Sequence, residues 1–326
     1  MPNTPSNRTH SRRFLFHGHA AAIGGRIVRE GDGREARPIE DGFIDFPGSS
    51  LTVVGGRSTA SLSPDQITHP AVKKFIRFKT ASSDATGEYD NPAQYFAASL
   101  KKRDRGTLRT TTTVRTEVLG LDVGVTGEPR MQVNGVRGGF TSRSASDGRE
   151  TPVRLDPDTG FDGNRITFYD AEGRPYVLNV QMDLRAFNAY PTLSALTEAA
   201  SSQDFVRKFG PSLFLAPAAR RAAKGARRGA AKTFLPRRAR LRRTDAGAII
   251  GTIVRSLEWE GEPFPGSTFE PDHHNRVKIP GLGMLSLGEI VIDKQARRIT
   301  MIRGDLGSYM GAELAVCDYQ DNGGFS

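Results

Sequence analysis

The stretch "TLRTTTTVRTEVLGLDVGV" (residues 107–125) gives the best long strand pattern in the chain and decides its fold class. It is rich in Thr and Val, and apolar and polar residues alternate along much of its length. β-Branched side chains are enriched in strands, and a period of two is typical of a strand that buries one face. We therefore expect a long strand here and a β protein built around it.

Shorter apolar runs on both sides of this stretch repeat the strand signal. Gly, Pro and Ser separate them, which is the usual composition of turns between strands. The runs predicted as strands are "RRFLFHGHA" (12–20), "GFIDF" (42–46), "SLTVVGG" (50–56), "KKFIRFKTA" (73–81), "GAIIGTIVRSLEW" (247–259), "RVKIP" (276–280) and "GAELAVCDY" (311–319).

Two longer segments have the pattern of β-hairpins. In "RITFYDAEGRPYVLNVQMDL" (165–184), two apolar runs flank a turn at residues 171–173. "GEIVIDKQARRITMIR" (288–303) turns near residues 293–296. Paired apolar runs around a short polar turn predict two antiparallel strands joined by that turn.

Two regions depart from the strand pattern. Asn91 is a suitable N-cap and Pro92 suits the first helical position, so we expect a short helix over residues 92–102. From residue 191, apolar residues recur at helical spacing as far as Gly210, and glycine is a common helix terminator.

Four parts follow from these patterns. They are a flexible N-terminus (1–11), a β-rich region with one short helix (12–190), a helical basic insertion or linker (191–245) and a β-rich region (246–326). The expected fold class is mainly β: an antiparallel β-sandwich or barrel-like body with a helical, Ala- and Arg-rich basic insertion. The two β-rich regions can form one domain or two.

The single cysteine, Cys317, excludes an intramolecular disulfide and a Cys-based zinc site. It lies in the alternating pattern "ELAVCDYQ" (313–320), which indicates a buried, inert thiol. The chain also has no G-x-S-x-G nucleophile elbow and no P-loop. No catalytic arrangement is evident in the sequence.

The N-terminal stretch "SRRFLFHGHAAAIGGRIV" (11–28) raises the question of export. Its Arg pair followed by apolar residues resembles a twin-arginine signal, but two histidines interrupt the apolar region and no convincing cleavage site follows. No apolar run approaches the 18 residues that span a bilayer. We therefore expect a strand at this position and favour a cytoplasmic protein.

The positive charge is concentrated in one segment. The chain carries a formal net charge of +10. Residues 207–243 contain thirteen Lys and Arg and no Asp or Glu, so the remainder of the chain has a net charge of −3. The basicity therefore belongs to the segment and not to the β-rich regions.

Within this segment, "AARRAAKGARRGAAKTFLPRRARLRR" (218–243) predicts a polyanion-binding site. On a helix, six of its cations fall within an arc of about 140° and Ala and Gly occupy the opposite side. A cationic stripe can track a phosphate backbone, and the absence of Asn, Gln and Tyr from residues 216–243 argues against base readout. The candidate binding residues are Arg220, Arg221, Lys224, Arg227, Arg228, Lys232, Arg237, Arg238, Arg240, Arg242 and Arg243.

Two other partners remain open for the same segment. It can pack against an acidic surface of a neighbouring copy. Its Ala/Gly side also permits close packing between helices, which favours assembly. It can also bind an anionic membrane surface, although its Ala/Gly side offers little apolar area for the bilayer.

A metal site is the alternative that would make the protein an enzyme. His17 and His19 would point to the same face of a strand, and His273 and His274 lie beside Glu270 and Asp272. Imidazole and carboxylate together can hold zinc or iron for a hydrolase. The two pairs are far apart in sequence, and ordinary surface or half-buried histidines account for them better.

A calcium site is a second metal possibility. Asp156, Asp158 and Asp162 cluster in "LDPDTGFDGNR" (155–165), but their spacing does not fit an EF-hand loop, and Asp, Asn and Gly are also common turn residues. We therefore expect no cofactor. The sequence favours a non-enzymatic structural or binding protein whose cationic segment contacts nucleic acid, another polyanion or a neighbouring subunit.

Overall fold

The computed structural model describes residues 14–29, 39–45, 47–68, 70–93, 107–147, 152–200, 204, 242–243, 249–270, 275–292, 297–307, 310–321 and 324–325. Across these residues, two large antiparallel sheets pack together and helices are few. The predicted mainly β, sandwich-like body is confirmed. The N-terminus (1–11) and most of the basic insertion (191–245) lie outside the described residues.

The first sheet contains the longest strands. In chain order they are β5 (Gly56–Leu62), β6 (Ile76–Arg77), β7 (Thr80–Tyr89), β8 (Arg109–Val123), β9 (Arg130–Ala145), β10 (Val153–Leu155), β11 (Gly160–Phe161), β12 (Arg165–Tyr169), β13 (Pro175–Met182) and β16 (Val254–Glu260). The main strands lie in the spatial order β16, β13, β12, β9, β8, β7, β5, while β10 and β11 pair with β9 and β6 pairs with β8.

The second sheet combines strands from both ends of the chain. They are β2 (Gly18–Arg29), β3 (Ile39–Asp45), β4 (Gly48–Ser50), β14 (Arg242–Arg243), β15 (Ile249–Thr252), β17 (Thr268–Phe269), β18 (Arg276–Ile279), β19 (Gly283–Ile292), β20 (Arg297–Gly307) and β21 (Met310–Asp321). The main order is β14, β15, β19, β20, β21, β2, β3. A separate two-stranded ribbon joins β1 (Phe14–Leu15) to β22 (Gly324–Phe325).

The strongest strand and both hairpins agree with the sequence patterns. β8 lies within the Thr-rich stretch and pairs along its length with β7 and β9. β12 and β13 form the first predicted hairpin, and β19 and β20 pair as the second. Alternating β-branched runs around turn residues were therefore sufficient to locate these elements.

Two strand predictions were wrong in part. In "SLTVVGG", a turn at Val53 and Val54 replaces the strand, because Gly55 and Gly56 adopt φ angles of 85° and 101° and close the chain into a tight bend. The two valines are 60% and 77% exposed. Turn chemistry has thus prevailed over the β propensity of valine.

The stretch "KKFIRFKTA" begins as a helix and continues as strands. Helix α1 (Pro70–Phe75) starts with proline, which suits the first helical turn, and it buries Val72 and Phe75. Two further helices in the part of the chain that the structure describes are α2 (Arg185–Ala189) and α3 (Leu193–Ala200). Of the helix predicted over residues 92–102, Pro92 and Ala93 are helical, and residues 94–102 lie outside the described part.

Strands from residues 12–190 and 246–326 share both sheets. β16 pairs with β13 in the first sheet, and β21 pairs with β2 in the second. The chain changes sheets at Ile253, between β15 and β16, and this residue is fully buried. The described parts of the two β-rich regions therefore contribute to the same pair of sheets.

In four adjacent strands of the second sheet, the alternation of inward- and outward-facing side chains shifts by one residue. The shift occurs at neighbouring positions, which form a single row across the sheet. The row crosses four adjacent strands at Gly288, Met301, Cys317 and Ala22. Strand register is the same on both sides of it. On β21, Val316 is buried before the row and Tyr319 after it. The shift keeps apolar residues inside where a strict period of two would turn them outward.

Two members of this row have left-handed backbone. Gly288 has a φ of 56° and Cys317 a φ of 49°. Glycine adopts this region freely, whereas it costs another residue roughly 1–3 kcal/mol. Packing around the fully buried Cys317 must therefore hold that conformation.

The two sheets approach each other closely where their inner faces carry small residues. Ala20 and Ala22 on β2 and Ala81 and Ala85 on β7 are buried. Cα atoms of β2 come within 8 Å of Cα atoms of β7 and β8. Stacked sheets usually lie about 10 Å apart, so alanine here permits closer packing than Leu or Phe would.

One glycine is required by this close approach. The buried ring of Tyr319 on β21 packs against Gly138 on β9, and its centroid lies 5.3 Å from that of Phe140. A Cβ at position 138 would overlap the tyrosine ring. The absence of a side chain at Gly138 therefore makes room for Tyr319.

We expect Gly138→Ala to destabilise the protein by about 1–3 kcal/mol, because overpacking forces a core to shift. Urea unfolding followed by fluorescence measures the change. Gly160→Ala is the matched control, since its Cβ would lie 3.8 Å from the Met182 sulfur, an ordinary contact. Equal unfolding midpoints for the two variants would contradict this role of Gly138.

Candidate functional site

A polar groove lies on the outer face of the first sheet. Along β8, Val114 and Val118 point into the core, while Arg115 and Glu117 between them are partly exposed on the opposite face. The groove has a volume of about 530 Å³. It is lined by residues of β5 and β7, by residues of β8 and β9, which we call its floor, and by the loop at residues 156–159, which we call the wall loop.

Cross-strand ion pairs fix the charged side chains of the groove. Arg115 Nε donates to Asp156 at 2.7 Å. Arg137 donates to Glu117 at 2.5 Å and also to Asp162. The hydrogen bond to Glu117 raises the pKa of Arg137 above its ordinary value, so this guanidinium stays charged. Arginines held in this way present their remaining N–H groups in fixed positions.

Glycine on β9 lets the wall loop lie against the floor. A Cβ at Gly139 would come within 2.7 Å of Asp156 Oδ2 and 3.1 Å of Arg115 Cγ. The Gly139 carbonyl accepts hydrogen bonds from the Asp156 amide at 2.9 Å and from the Thr159 hydroxyl at 3.3 Å. The Arg115–Asp156 pair therefore depends on the missing side chain at Gly139.

The groove carries an excess of carboxylates. Its lining includes four of them and two guanidiniums, which leaves a formal charge of −2, together with the hydroxyls of Thr59, Ser61 and Ser82. Because carboxylates accept and do not donate hydrogen bonds, the groove favours a ligand with N–H or O–H donors and no negative charge. Its carboxylates are Asp84, Glu117, Asp156 and Asp158.

Two buried groups lie beneath the groove floor. Tyr319 is fully buried, and its ring lies against Gly138 of the floor. The Cys317 thiol donates to the Val136 carbonyl at 3.4 Å. Burial raises the pKa of Cys317 to about 12, so the thiol is protonated at neutral pH and is not a nucleophile.

Two of the three aspartates weighed as calcium ligands belong to different ion pairs. Asp156 binds Arg115, and Asp162 binds Arg137. Asp158 lines the groove. In the described ranges, no three His, Cys, Asp or Glu side chains converge in a way that would hold a metal ion.

The histidines proposed as metal ligands are only partly described. His17 is exposed. His19 is partly buried, and its Nδ1 lies 2.9 Å from the hydroxyl of Ser50 on the neighbouring strand β4. His273 and His274 lie outside the described residues, so whether the two pairs meet stays open.

Of the cationic residues predicted to bind polyanions, only Arg242 and Arg243 are within the described part. They form β14, at one edge of the second sheet, where they pair with Ile250 and Ile249 of β15. The following nine lie outside it: Arg220, Arg221, Lys224, Arg227, Arg228, Lys232, Arg237, Arg238 and Arg240.

Comparisons with protein families, curated proteins and solved structures gave no match. Among the helices that the structure describes, none is long and apolar enough to cross a membrane.

The groove itself was not predicted from the sequence. A signal was present in the charged residues at outward positions of β8, but their partners on β9 and in the wall loop depend on pairing and register.

We expect Cys317 to be unreactive in the native protein, because it is fully buried and its pKa is about 12. Titration with a thiol reagent such as DTNB should detect no thiol in buffer at neutral pH and one thiol per chain in guanidinium chloride. Rapid labelling of the folded protein would contradict the packing described for β21.

Proposed function

We propose that the protein is a non-enzymatic binding protein in which residues 218–243 contact polyanions without sequence specificity. The observation that carries this proposal is charge segregation. Thirteen cations and no acids occupy residues 207–243, while the rest of the chain has a net charge of −3. Polyanions attract a concentrated positive patch far more strongly than dispersed charges of the same total.

The ion pairs of the β body support this assignment. Many of its arginines are matched by carboxylates, so they add little uncompensated positive charge to its surface. Such pairs include Arg57–Asp84, Arg77–Asp122, Arg174–Asp170, Arg185–Asp183, Arg298–Asp318 and Arg303–Glu289. Residues 207–243 contain no acid that could compensate their own cations.

The attachment of the segment to the body also supports the proposal. It follows α3, whose Leu196 is buried in the core, and it ends at β14 on the edge of the second sheet. Both flanking elements are thus parts of the sandwich. A cationic segment held at both ends would keep any bound polyanion beside the body.

The salt dependence of binding tests this function. Each phosphate neutralised by Lys or Arg releases counterions, so affinity for a mixed-sequence DNA duplex should fall steeply between about 50 and about 200 mM salt. Duplexes of different sequence should bind alike, because residues 216–243 contain no Asn, Gln or Tyr. Fluorescence anisotropy measures both properties.

Charge-neutralised variants locate the contact. Arg227, Arg228 and Lys232 changed to Gln should weaken binding and reduce the slope of log K against log salt by about 3. The matched control changes Lys73, Lys74 and Lys79, three exposed lysines of the body, to Gln. Salt-insensitive binding, or equal losses in the two triple variants, would overturn the proposed function.

A further inference from the structure

We propose that the polar groove on the first sheet binds the Arg237–Arg240 stretch of a second copy of this chain, so that copies associate head to tail. This contact uses part of the same cationic segment as the proposed function, residues 218–243. It does not require that the segment bind nucleic acid.

The carboxylate oxygens of the groove suit incoming guanidiniums. Glu117 Oε1 and Asp156 Oδ2 each accept from an arginine of the body, and their second oxygens have no such partner among the described residues. Asp158 is exposed and makes no hydrogen bond or ion pair in the described part. A carboxylate can bind more than one guanidinium N–H because it offers two oxygens with about four lone-pair positions.

Charge complementarity identifies the kind of partner. The groove lining has a formal charge of −2, which disfavours phosphates and favours cations. The Arg237–Arg240 stretch contains three arginines in four residues and no acid. Because arginine stays charged and offers five N–H donors, this stretch is a donor partner that the chain itself supplies.

The length of the chain between Arg237 and β14 favours binding to the groove of a second copy over binding to the groove of the same chain. β14 is four strands from β21, or about 19 Å at the usual strand spacing. β21 packs against β8 and β9, and the groove opens on the far face of those strands. Arg237 precedes Arg242 by five residues, which span at most about 18 Å when extended. The stretch therefore falls short of the groove of its own chain.

A contact between two different surfaces of one chain is heterologous. Such contacts extend into open chains or close into rings. We therefore expect the full chain to form species larger than a dimer as its concentration rises at low salt. These species should dissociate at high salt, because exposed ion pairs are screened.

Light scattering after size exclusion tests the pairing with two full-length variants. The groove variant combines Glu117→Gln with Asp158→Lys. The arm variant combines Arg237→Gln, Arg238→Gln and Arg240→Gln. Each variant alone should remain monomeric at low salt, and their equimolar mixture should form a species of two chains and no larger, because one groove and one arm remain intact.

A matched control guards against general charge effects. It combines Glu260→Gln with Glu172→Lys, which neutralises one ion-paired carboxylate and reverses one exposed carboxylate away from the groove. This variant should associate like the unchanged chain. Circular dichroism should show all variants to be folded.

Three results would overturn the proposal: an unchanged chain that is monomeric at low salt, a groove variant that associates normally, or a mixture that does not pair. None of them bears on the proposed function, since the groove variant retains its full cationic segment. That variant should bind the DNA duplex at least as well as the unchanged chain does, because no groove of another copy competes for its arm. An unchanged chain that self-associates but does not bind the DNA duplex would instead reject the proposed function alone.

Discussion

The close approach of the two sheets is the constraint on which the rest of the molecule depends. Ala20, Ala22, Ala81 and Ala85 keep the inner faces small, and Gly138 leaves room for the ring of Tyr319. Interiors pack at nearly crystalline density, so added volume at these points must displace one sheet from the other. The row of residues through Cys317 also contributes to this packing. It shifts the alternation of inward- and outward-facing side chains by one residue, which keeps apolar side chains between the sheets.

This inner packing determines what the outer face can present. Since every second residue of β8 is committed to the core, Arg115 and Glu117 point outward, where β9 and the loop at residues 156–162 supply their partners. Glycine has a role on both faces of β9: Gly138 admits a core ring, and Gly139 admits Asp156. The resulting groove is acidic overall, while the excess positive charge of the chain lies in a different segment. This separation of charges supports both proposals.

Sequence patterns predicted the fold class, the longest strand and both hairpins, because these depend on local alternation and turn residues. They failed at Val53 and Val54, where two glycines impose a turn, and at residues 73–75, where Pro70 starts a helix. Pairings such as β2 with β21, and the change of sheet at Ile253, depend on contacts between distant parts of the chain. The shift in side-chain alternation at Cys317 could not be predicted from a strand period of two. It requires a left-handed backbone that is typical of glycine, and the residue there is a cysteine. The groove was missed for the same reason: Arg137 and Asp162 acquire their roles through register.

The proposed function assigns polyanion contact to residues 218–243 and leaves the β body as their support. Hydrogen exchange measured by mass spectrometry, with and without a mixed-sequence DNA duplex, tests it most directly. Contact with a polyanion restricts the backbone of the segment and shields its amides, so they should exchange more slowly with DNA present. At a protein concentration low enough for the chains to be monomeric, we predict that this protection is confined to peptides from residues 205–243 and that β8, β9 and β21 are unchanged. Protection of the groove strands without protection of the segment would contradict it.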